Sequence, residues 1–541
     1  MKKFLIFFIT LFLAGCRQDA PPRLVVLISV DHLSHKAFTH YMPLFTGGFK
    51  WLRDHGVSFT ETYHEHGYTA TGPGHFVLGS GRYPGPAGVI GNSWYDREKK
   101  EKHYCVGDDQ AKPLTIPSDP RSYRLVAATA IGDWLKATYP GSKVYSIAGK
   151  DRASVFMGGK HPDMALWYNW AGGFTTTDYY TDQIPSWLDA FNRDVNISSY
   201  RDSLWIKSLS NDLYLTYARE DFFDGETDNY MNAIYSPVFP IGFDSTYNDD
   251  MVLNYFAGTP WQERNTLQLG ETIIREEQLG QDGEPDLLCI GLSATDWITH
   301  DYGPRSQEGM DNLIKIDRYL SHFLMTVDQL VGLENTVIVL TADHGGLELP
   351  EFIRQTTGQR AGRIDGHARD NAVKRAYDRI DAKFGHHDFI VSYGLGFYFD
   401  ADMMEKENID QDWISTVIRE ELVQVDGIEY VLNREDILNS TEKDTLLTRM
   451  KHFTHPVKSP DLWIVQEKHW VYRNPYGTSH GTPYDYDAHV PFLICQPGFE
   501  PRNISAHVPS VDIAVTIADI LGITPDPKVD GISRKSSLQS P

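Results

Sequence analysis

Short, uninterrupted apolar runs recur along the 541-residue chain, and this pattern limits the possible folds more than any other feature of the sequence. The runs do not alternate with polar residues, which is typical of strands covered on both faces in a parallel sheet. Stretches with a helical spacing of apolar residues lie between them. We therefore predict an α/β fold with a doubly wound, mostly parallel sheet flanked by helices. The predicted strands are residues 24–30, 144–147, 287–292, 336–341 and 490–495.

The chain is too long for one compact core, so the prediction includes two insertions in the sheet domain. One is rich in aromatic residues, Asp, Asn and Gly, and the other mixes short helical and strand signals. Both are interpreted as covers over the active edge of the sheet. The predicted organisation is a signal peptide at 1–16, a tether at 17–23, core segments at 24–155, 285–348 and 471–541, a cap insertion at 156–284 and a second insertion at 349–470.

The N-terminus has the features of an export signal. Lys2 and Lys3 precede an apolar run from Phe4 to Ala14, which is too short to cross a bilayer as a mature helix. The run closes on Leu-Ala-Gly-Cys, which resembles the bacterial lipobox with Cys16 as the lipidated residue; an ordinary secretory signal with an incidental cysteine is the alternative. Both interpretations predict an exported bacterial protein, either periplasmic or an outer-membrane-anchored lipoprotein. If the lipobox is used, the lipid at Cys16 is the only expected contact with a membrane.

Charge and cysteine content exclude other classes of protein. The formal net charge is −23, from 50 basic and 73 acidic residues, and such a field repels polyanions, so no nucleic-acid binding surface is expected. Besides Cys16 the chain has Cys105, Cys289 and Cys495, an odd number without framework spacing, which predicts no disulfide scaffold. An anionic substrate must therefore be captured locally, by metal ions or a few placed cations.

Polar residues follow four of the predicted strands directly. Because parallel strands present their carboxyl ends at one edge of the sheet, where this fold binds its ligands, the four side chains are expected to lie together. A helix cap or turn explains any single aspartate at such a position about equally well, but the set favours a site. The four residues are Asp31, Lys150, Asp296 and Asp343.

Two of these aspartates are paired with histidines. Asp343 is followed directly by His344, and Asp296 is followed four residues later by His300, which places the pair on one face of a helical turn. Carboxylate oxygen and imidazole nitrogen are ligands that zinc selects, and His480 in SHGTPYDYDAHVPF adds a further candidate. The sequence therefore predicts a metal-dependent hydrolase.

The candidate nucleophile is Thr71 in TATGPGH. The Gly-Pro-Gly that follows lets the backbone turn into a helix start, whose free N–H groups attract anions. A threonine hydroxyl is a poor nucleophile until a metal ion lowers its pKa. Considered alone, Thr71 is better explained as a helix N-cap; beside two candidate metal sites, the role of nucleophile is favoured.

Taken in order, these motifs resemble the alkaline phosphatase superfamily, and most closely its phosphate-irrepressible, PafA-type alkaline phosphatases. The resemblance covers about residues 24–535, including the insertions. The motifs that carry it are Asp31, TGPGH, GVIGNSWYD, GKDR, SATDWITHDYGP, TADHGG and SHGTPYDYDAHVPFL.

The resemblance implies two zinc ions and phosphate monoesters as substrates. Thr71 would bind the second ion and form a phosphothreonine that water then hydrolyses, while the first ion would stabilise the leaving oxygen. Asn92, Lys150 and Arg152 would bind the non-bridging phosphate oxygens, for which a lysine and an arginine suit a doubly charged group. The implied ligands are Asp296, His300 and His480 for the first zinc, and Asp31, Asp343 and His344 for the second.

Alternative functions remain at this point. Related phosphodiesterases and nucleotide pyrophosphatases keep the metal ligands and the threonine but lack the Lys and Arg pair, so Lys150 and Arg152 favour monoester hydrolysis. A sulfatase would need a Cys or Ser in a Cys-x-Pro-x-Arg setting, which is absent near the expected site. A non-catalytic binding lipoprotein would use the abundant aromatic residues but would not need a nucleophile with six metal ligands.

Other histidines are not needed for the ligand set. Those of YHEHGY and GHHDF are interpreted as solvated or hydrogen-bonded, the usual state of short histidine groupings on loops. His75 and His489 are candidates for hydrogen-bond support of the metal ligands.

Overall fold

The central sheet is built around β1 (Leu24–Val30), all seven of whose residues are buried. It pairs in parallel with β10 (Asp286–Leu292) on one side and β11 (Thr336–Thr341) on the other. Both neighbours are also buried along their whole length. The uninterrupted apolar runs are therefore explained by helices that cover both faces of the sheet.

The computed structural model describes residues 21–539 except 116–117, 196, 228–237, 244–246, 474 and 497. The predicted signal peptide with Cys16, and most of the predicted tether, lie outside these residues. The other strands are β2 (Val57–Tyr63), β3 (Ser93–Asp96), β4 (Glu101–Tyr104), β5 (Val144–Ala148), β6 (Met164–Asn169), β7 (Gly173–Thr175), β8 (Leu204–Trp205), β9 (Ile241–Gly242), β12 (Gly362–Arg363), β13 (Ile390–Tyr393), β14 (Gly396–Phe399), β15 (Ile428–Asn433), β16 (Leu462–Gln466), β17 (Trp470–Val471), β18 (His489–Cys495) and β19 (Arg502–Pro509).

Helices connect the strands of the main sheet and make up most of the regular secondary structure in both insertions. Short 3₁₀ turns occur at Met42–Leu44, Ile197–Asp202 and Leu333–Asn335. The α-helices are α1 (His35–Tyr41), α2 (Gly48–His55), α3 (Thr71–Ser80), α4 (Pro84–Ala87), α5 (Ile131–Thr138), α6 (Asp151–Gly158), α7 (Ser186–Asp194), α8 (Asn211–Tyr217), α9 (Asp249–Phe256), α10 (Pro260–Glu276), α11 (Ala294–Tyr302), α12 (Gln307–Leu330), α13 (Pro350–Thr357), α14 (Gly366–Phe384), α15 (Ala401–Lys406), α16 (Gln411–Leu422), α17 (Arg434–Asn439), α18 (Thr445–Phe453), α19 (Asp485–Ala488), α20 (Asp512–Leu521) and α21 (Lys535–Leu538).

The main sheet of the described chain has nine strands in the order β19-β2-β18-β11-β1-β10-β5-β6-β7. Its middle, from β11 to β6, is parallel throughout. β18 runs antiparallel to both of its neighbours, and β7 runs antiparallel to β6. The predicted doubly wound α/β fold with a mostly parallel sheet is confirmed, but the apolar run at 490–495 belongs to an antiparallel strand. A strand buried on both faces has the same pattern in either direction.

Alternate residues of β1 serve two different cores. Val26 and Ile28 pack in a cluster with residues of α2, α10 and α12, whereas Val25 and Leu27 pack with residues of α3, α5 and α20. Successive side chains of a strand point to opposite faces, so this division places one helical layer on each side of the sheet.

The second predicted insertion contains a sheet of its own, with the order β13-β14-β16-β15. An apolar cluster that includes residues of α14 and α16 covers this sheet. The first predicted insertion contributes β6 and β7 to the main sheet and is otherwise mainly helical, from α7 to α10, with the short β8–β9 pair. The domain boundaries themselves stay a prediction.

Cys105, Cys289 and Cys495 are buried and unpaired, in agreement with the predicted lack of a disulfide scaffold. None of the helices in the described part of the chain is both long enough and apolar enough to span a bilayer.

Candidate active site

The central strands deliver the predicted polar residues to one edge of the sheet. Asp31 follows the last residue of β1, and Lys150 lies two residues beyond β5. Asp343 lies two residues beyond β11, and Asp296 lies in the first turn of α11, directly after β10. All four side chains are almost completely buried. The predicted cluster at the carboxyl edge is therefore present.

Thr71 is the first residue of α3, and its N-cap is Ala70, which has no side-chain hydrogen bond. The interpretation of Thr71 as a capping residue is therefore wrong. α3 starts against the backbone of the neighbouring strand end: a Cβ at Gly74 would overlap the carbonyl oxygen of Asp343. Only glycine permits this approach, which brings Thr71 and the positive end of the helix to the cluster of carboxylates.

Lys150 lies at the centre of the site. Its Nζ is 2.6 Å from Asp31 Oδ2, 2.5 Å from Asp296 Oδ2 and 3.3 Å from Thr71 Oγ1. The ammonium also lies 5.0 Å from the centre of the Trp297 ring. Burial lowers the pKa of Lys150, but Asp296 and Asp31 outweigh that effect and the net shift is upward, so the side chain stays charged.

Arg152 provides a second cation at the same hydroxyl. Its Nη2 donates to Thr71 Oγ1 at 3.3 Å, and its Nη1 donates to the hydroxyl of Tyr104 at 3.2 Å. That hydroxyl donates in turn to Asp151 at 2.6 Å, and Arg121 donates to the same carboxylate at 2.6 Å. Arg152 Nε is buried and has no hydrogen-bond partner among the described residues, so the guanidinium keeps donor capacity for an anion.

Asn92 lies beside the nucleophile candidate, half-buried. Its Oδ1 accepts from the backbone N–H of Gly72 at 2.7 Å, which leaves the amide Nδ2 as a donor. Asn92 lines one cavity of about 250 Å³, together with Tyr68 and Trp94. Lys150 and Arg152 line another, of about 410 Å³. Both cavities adjoin the residues predicted to bind phosphate.

The first predicted group of zinc ligands has the spacing that a tetrahedral ion requires. His300 Nε2 and His480 Nε2 lie 3.4 and 3.5 Å from Asp296 Oδ1. Bonds of about 2.0–2.1 Å around a tetrahedral zinc place neighbouring ligand atoms roughly 3.3 Å apart. His300 Nδ1 lies 2.8 Å from the carbonyl of Thr478, and His480 Nδ1 lies 2.7 Å from that of Thr69, so each Nδ1 donates and each Nε2 keeps its lone pair.

The second predicted group consists of buried polar atoms. Asp31 Oδ1 and His344 Nε2 have no hydrogen bond within the part of the chain that the structure describes, and Asp343 Oδ2 faces one donor, His75 Nδ1, at 3.2 Å. His344 Nε2 is 3.5 Å from Asp31 Oδ1 and 3.3 Å from Asp343 Oδ2. Buried polar atoms carry a large cost unless something satisfies them, so this arrangement fits a bound cation. Asp296 can reach this group too, since its ligand atom lies within 4.8 Å of those of Asp31 and His344.

The charges of the site also fit metal binding. Burial lowers the pKa of His300 and of His480 to about 4, so both rings are neutral at pH 7, as zinc ligands must be. Burial and the neighbouring Asp343 raise the pKa of Asp31 well above its ordinary value. The carboxyl groups of Asp31, Asp296 and Asp343 thus share one lysine, and divalent cations would favour the ionised form of all three.

Direct contacts join nine of the ten predicted site residues, and Asn92 is linked to them through the backbone N–H of Gly72, next to Thr71. Lys150, in the GKDR segment, is only 4% exposed. His75 supports the set as predicted: its Nδ1 lies 2.9 Å from the carbonyl of Thr71 and 3.2 Å from Asp343 Oδ2. His489 instead bonds to the carbonyl of Thr60, away from the ligands.

Sequence reasoning missed two residues of the site. His32 contacts Asp296 at 2.6 Å, and Tyr104 holds Arg152. A signal for His32 existed, because it follows a strand-end aspartate just as His344 does. Tyr104 gave none, since its role depends on how the β3–β4 hairpin folds over α6.

A comparison with known proteins agrees with this arrangement. The family model for type I phosphodiesterase / nucleotide pyrophosphatase matches residues 25–489. The chain belongs to this family. The chain is 28% identical over 511 residues to the alkaline phosphatase PafA of Elizabethkingia meningoseptica, which covers 93% of this chain and 92% of the relative. Alkaline phosphatase PhoV of Synechococcus elongatus is 28% identical over 514 residues, covering 93% and 90%.

Solved structures give the same result. The crystal structure of wild-type PafA superposes with a TM-score of 0.87 at 27% identity, covering 96% of this chain and 99% of PafA. Murine ectonucleotide pyrophosphatase / phosphodiesterase 5 superposes with a TM-score of 0.52 at 13% identity, covering 95% and 98%, a likeness of fold alone. The resemblance predicted from the motifs, to PafA-type alkaline phosphatases related to nucleotide pyrophosphatases, is confirmed, and so is the alkaline-phosphatase-like fold.

Proposed function

We propose that this chain is an exported di-zinc alkaline phosphatase that hydrolyses phosphate monoesters through a phosphothreonine intermediate. One observation carries the proposal: the Thr71 hydroxyl lies 3.3 Å from both Lys150 Nζ and Arg152 Nη2. A phosphoryl group attacked by that hydroxyl would have both cations at its non-bridging oxygens. In phosphoryl transfer such positioning and charge stabilisation supply most of the acceleration.

Thr71 acts as the nucleophile in two balanced steps. Its Oγ forms a bond to phosphorus while the bond from phosphorus to the leaving oxygen breaks, and the alcohol leaves with a proton. A water oxygen then forms a bond to the same phosphorus, the phosphorus–Oγ bond breaks, and Thr71 regains its proton as inorganic phosphate leaves. Lys150, Arg152 and Asn92 hold the phosphoryl oxygens throughout, and α3 directs its positive end at the same group.

The ligand residues fit two zinc ions. Zinc, when bound, would lower the pKa of a hydroxyl or water and neutralise charge on the attacking and leaving oxygens. Two groups of side chains have ligand atoms close enough to share a metal ion: His32, Asp296, His300 and His480 form one, and Asp31, Asp296 and His344 form the other. Asp343 Oδ2 lies 3.3 Å from His344 Nε2, which brings it to the second group. The proposed ligands are Asp296, His300 and His480 for the first ion, and Asp31, Asp343 and His344 for the second.

A phosphodiesterase is the second candidate, because the matching family model carries that description. The discriminating residues are Lys150 and Arg152: a monoester offers a dianion with three non-bridging oxygens to two cations, whereas a diester offers one charge and two such oxygens. Two cations at the nucleophile favour the monoester.

The test compares p-nitrophenyl phosphate with methyl p-nitrophenyl phosphate, which share one leaving group. We expect the wild type to prefer the monoester. Each charged hydrogen bond contributes roughly 1.5–3 kcal/mol, so Lys150→Ala/Arg152→Ala should lower kcat/KM for the monoester by about 100- to 10,000-fold and for the diester far less. Lys374→Ala/Arg375→Ala, on an exposed face of α14, removes the same charges as a control. An unchanged monoester-to-diester ratio in the site variant would contradict the proposal.

Export and anchoring through Cys16 belong to the same proposal, supported by the basic and apolar segment that precedes it. Cys16→Ser should move the protein from the membrane fraction to the soluble periplasmic fraction with its activity intact. Equal membrane association of wild type and variant would contradict lipid anchoring.

A further inference from the structure

His32 lies between the two groups of proposed ligands and contacts both. Its backbone N–H donates to Asp343 Oδ1 at 3.2 Å, and its ring Nδ1 lies 2.6 Å from Asp296 Oδ1. The ring packs edge-on against His300 and His480, with centroid distances of 5.1 and 4.9 Å, and the side chain is fully buried. One residue thus connects the ligands of both proposed metal ions.

Two unusual steric features accompany the position of the His32 ring. His32 has a φ of 67°, a left-handed conformation that costs a non-glycine residue roughly 1–2 kcal/mol. The far side of the ring rests against Gly346, where any Cβ would overlap His32 Nε2. Both features require the surrounding fold to hold them, which points to a role for the imidazole beyond filling space.

The distances separate a metal ligand from a hydrogen-bond donor. Two ligands of one tetrahedral zinc lie roughly 3.3 Å apart, as His300 and His480 do from Asp296 Oδ1. At 2.6 Å, His32 Nδ1 is too close to Asp296 Oδ1 for both atoms to bind one ion, and this is the distance of a charge-assisted hydrogen bond. A fourth protein ligand would also close the site, whereas catalytic zinc keeps an open position.

Asp296 is an acceptor when ionised, so His32 Nδ1 must carry the hydrogen and donate it. We infer that His32 is a positioning residue that fixes Asp296 Oδ1 for the first zinc ion through its imidazole, and Asp343 for the second through its backbone N–H; this rests on the proposed di-zinc function. Hydrogen bonds of this kind to a ligating carboxylate orient the oxygen before the ion arrives and raise affinity.

The test measures zinc binding directly, by competition between the full-length protein and a chromophoric chelator. Loss of a hydrogen bond behind a ligand typically costs about 10–100-fold in metal affinity, so His32→Ala should weaken one of two bound zinc ions by that factor. His32→Asn should restore most of the affinity, because its amide can donate from the position of Nδ1 and asparagine tolerates a positive φ. The backbone N–H that serves Asp343 persists in both variants, so the other ion should bind as in wild type and report an intact fold.

Gly346→Ala provides an independent variant, because it displaces the ring without touching a proposed ligand. It should weaken the same zinc ion as His32→Ala does. Gly366→Ala, where a Cβ meets nothing within 4 Å, is the matched control and should bind zinc as wild type does. X-ray absorption should count three imidazoles for two zinc ions, from His300, His480 and His344; a fourth would make His32 a ligand and overturn the positioning role.

The inference is also overturned if His32→Ala and Gly346→Ala both bind two zinc ions with wild-type affinity, or if His32→Asn is as weak as His32→Ala. A wild-type chain that binds no zinc would instead remove the proposed function. The two failures are therefore distinguishable in one titration.

Discussion

The guanidinium of Arg152 and the phenol of Tyr104 are joined by a hydrogen bond of 3.2 Å, although β4 and α6 contribute them from separate parts of the chain. The Tyr104 hydroxyl donates a hydrogen bond to Asp151. Burial, together with that carboxylate, raises the pKa of Tyr104 well above its ordinary value. The phenol is therefore protonated at neutral pH. It fixes the plane of the guanidinium whose other nitrogen touches Thr71.

Tyr104→Phe should lower kcat/KM for a phosphate monoester by about 5–10-fold, since one hydrogen bond contributes roughly 1 kcal/mol. The loss should be smaller for a diester of the same alcohol, because the variant acts through Arg152. Steady-state kinetics with both substrates measure it, and Tyr476→Phe, at a residue 42% exposed, is the control. Equal losses for the two substrates would show that Tyr104 does not act through Arg152.

Thr71→Ala should lower monoester turnover by at least about 1,000-fold, because the covalent route requires the hydroxyl. Zinc content should be unchanged, since the proposed ligands remain. Acid quenching of wild type with a radiolabelled monoester should trap phosphate on Thr71, and mass spectrometry identifies the position. A phosphorylated Thr71→Ala protein, or a fully active one, would eliminate this residue as the nucleophile.

Removal of zinc should destabilise the protein as well as inactivate it. Asp31, Asp296 and Asp343 crowd one ammonium, so a cation that binds only the folded state stabilises it, by about 4 kcal/mol at a 1,000-fold excess over its Kd. Thermal unfolding of chelated protein with and without added zinc measures the shift. An unchanged melting temperature would contradict a metal site in this cluster.

His386 and His387 provide the control for that experiment. They form a sequence pair that resembles a metal site, but His386 Nε2 lies 2.8 Å from Glu407 and His387 Nδ1 lies 2.8 Å from Asp381, both at the surface. This agrees with their interpretation as hydrogen-bonded loop histidines. His386→Ala/His387→Ala should respond to zinc as the wild type does.

The sequence predicted much of the sheet, because five buried strands leave apolar runs that helices separate. The helical spacing of Val511, Val515, Ala518 and Leu521 predicts a helix that stops at Gly522, and α20 does end at Leu521 with Gly522 in a left-handed conformation. The direction of β18 was not predictable, since neighbouring strands rather than its own residues determine it. The sheet of β13 to β16 was predicted only as scattered strand signals, because all four strands are short and two of them, β13 and β15, are only partly buried.

The site was predictable where chemistry follows a strand in the sequence, as with Asp31 and Asp343. Contacts made across the fold were not. Lys150 was expected to bind phosphate, but its salt bridges with Asp31 and Asp296 depend on how β1, β5 and β10 are ordered in the sheet. The role of Gly346 was not predictable either, because it depends on the contact with the ring of His32 across the fold.

The start of α11 is hydrogen-bonded to a buried carboxyl group, whose protonation makes the stability of this part of the site depend on pH. Glu263 accepts from the backbone N–H and the hydroxyl of Thr295, the residue before Asp296, at 2.9 and 3.0 Å. Its other oxygen has no hydrogen-bond partner among the described residues, and burial raises the pKa of Glu263 from 4.5 to about 7. The neutral acid is therefore favoured in the folded state.

The folded state binds this proton more tightly than the unfolded chain does, so its contribution to stability is present below pH 4.5 and is lost as the pH rises to about 7. The loss is roughly 3 kcal/mol, at 1.36 kcal/mol per pKa unit. Glu263→Gln keeps the acceptor for Thr295 without a titrating group. Its free energy of unfolding minus that of the wild type should therefore increase as the pH rises from 5 to 8. Urea denaturation of zinc-free protein measures this difference. Glu276→Gln, exposed on the same helix, should show no such gain. A difference between Glu263→Gln and wild type that does not change with pH would mean that Glu263 does not titrate in this range and that α11 rests on a permanently charged or permanently neutral support.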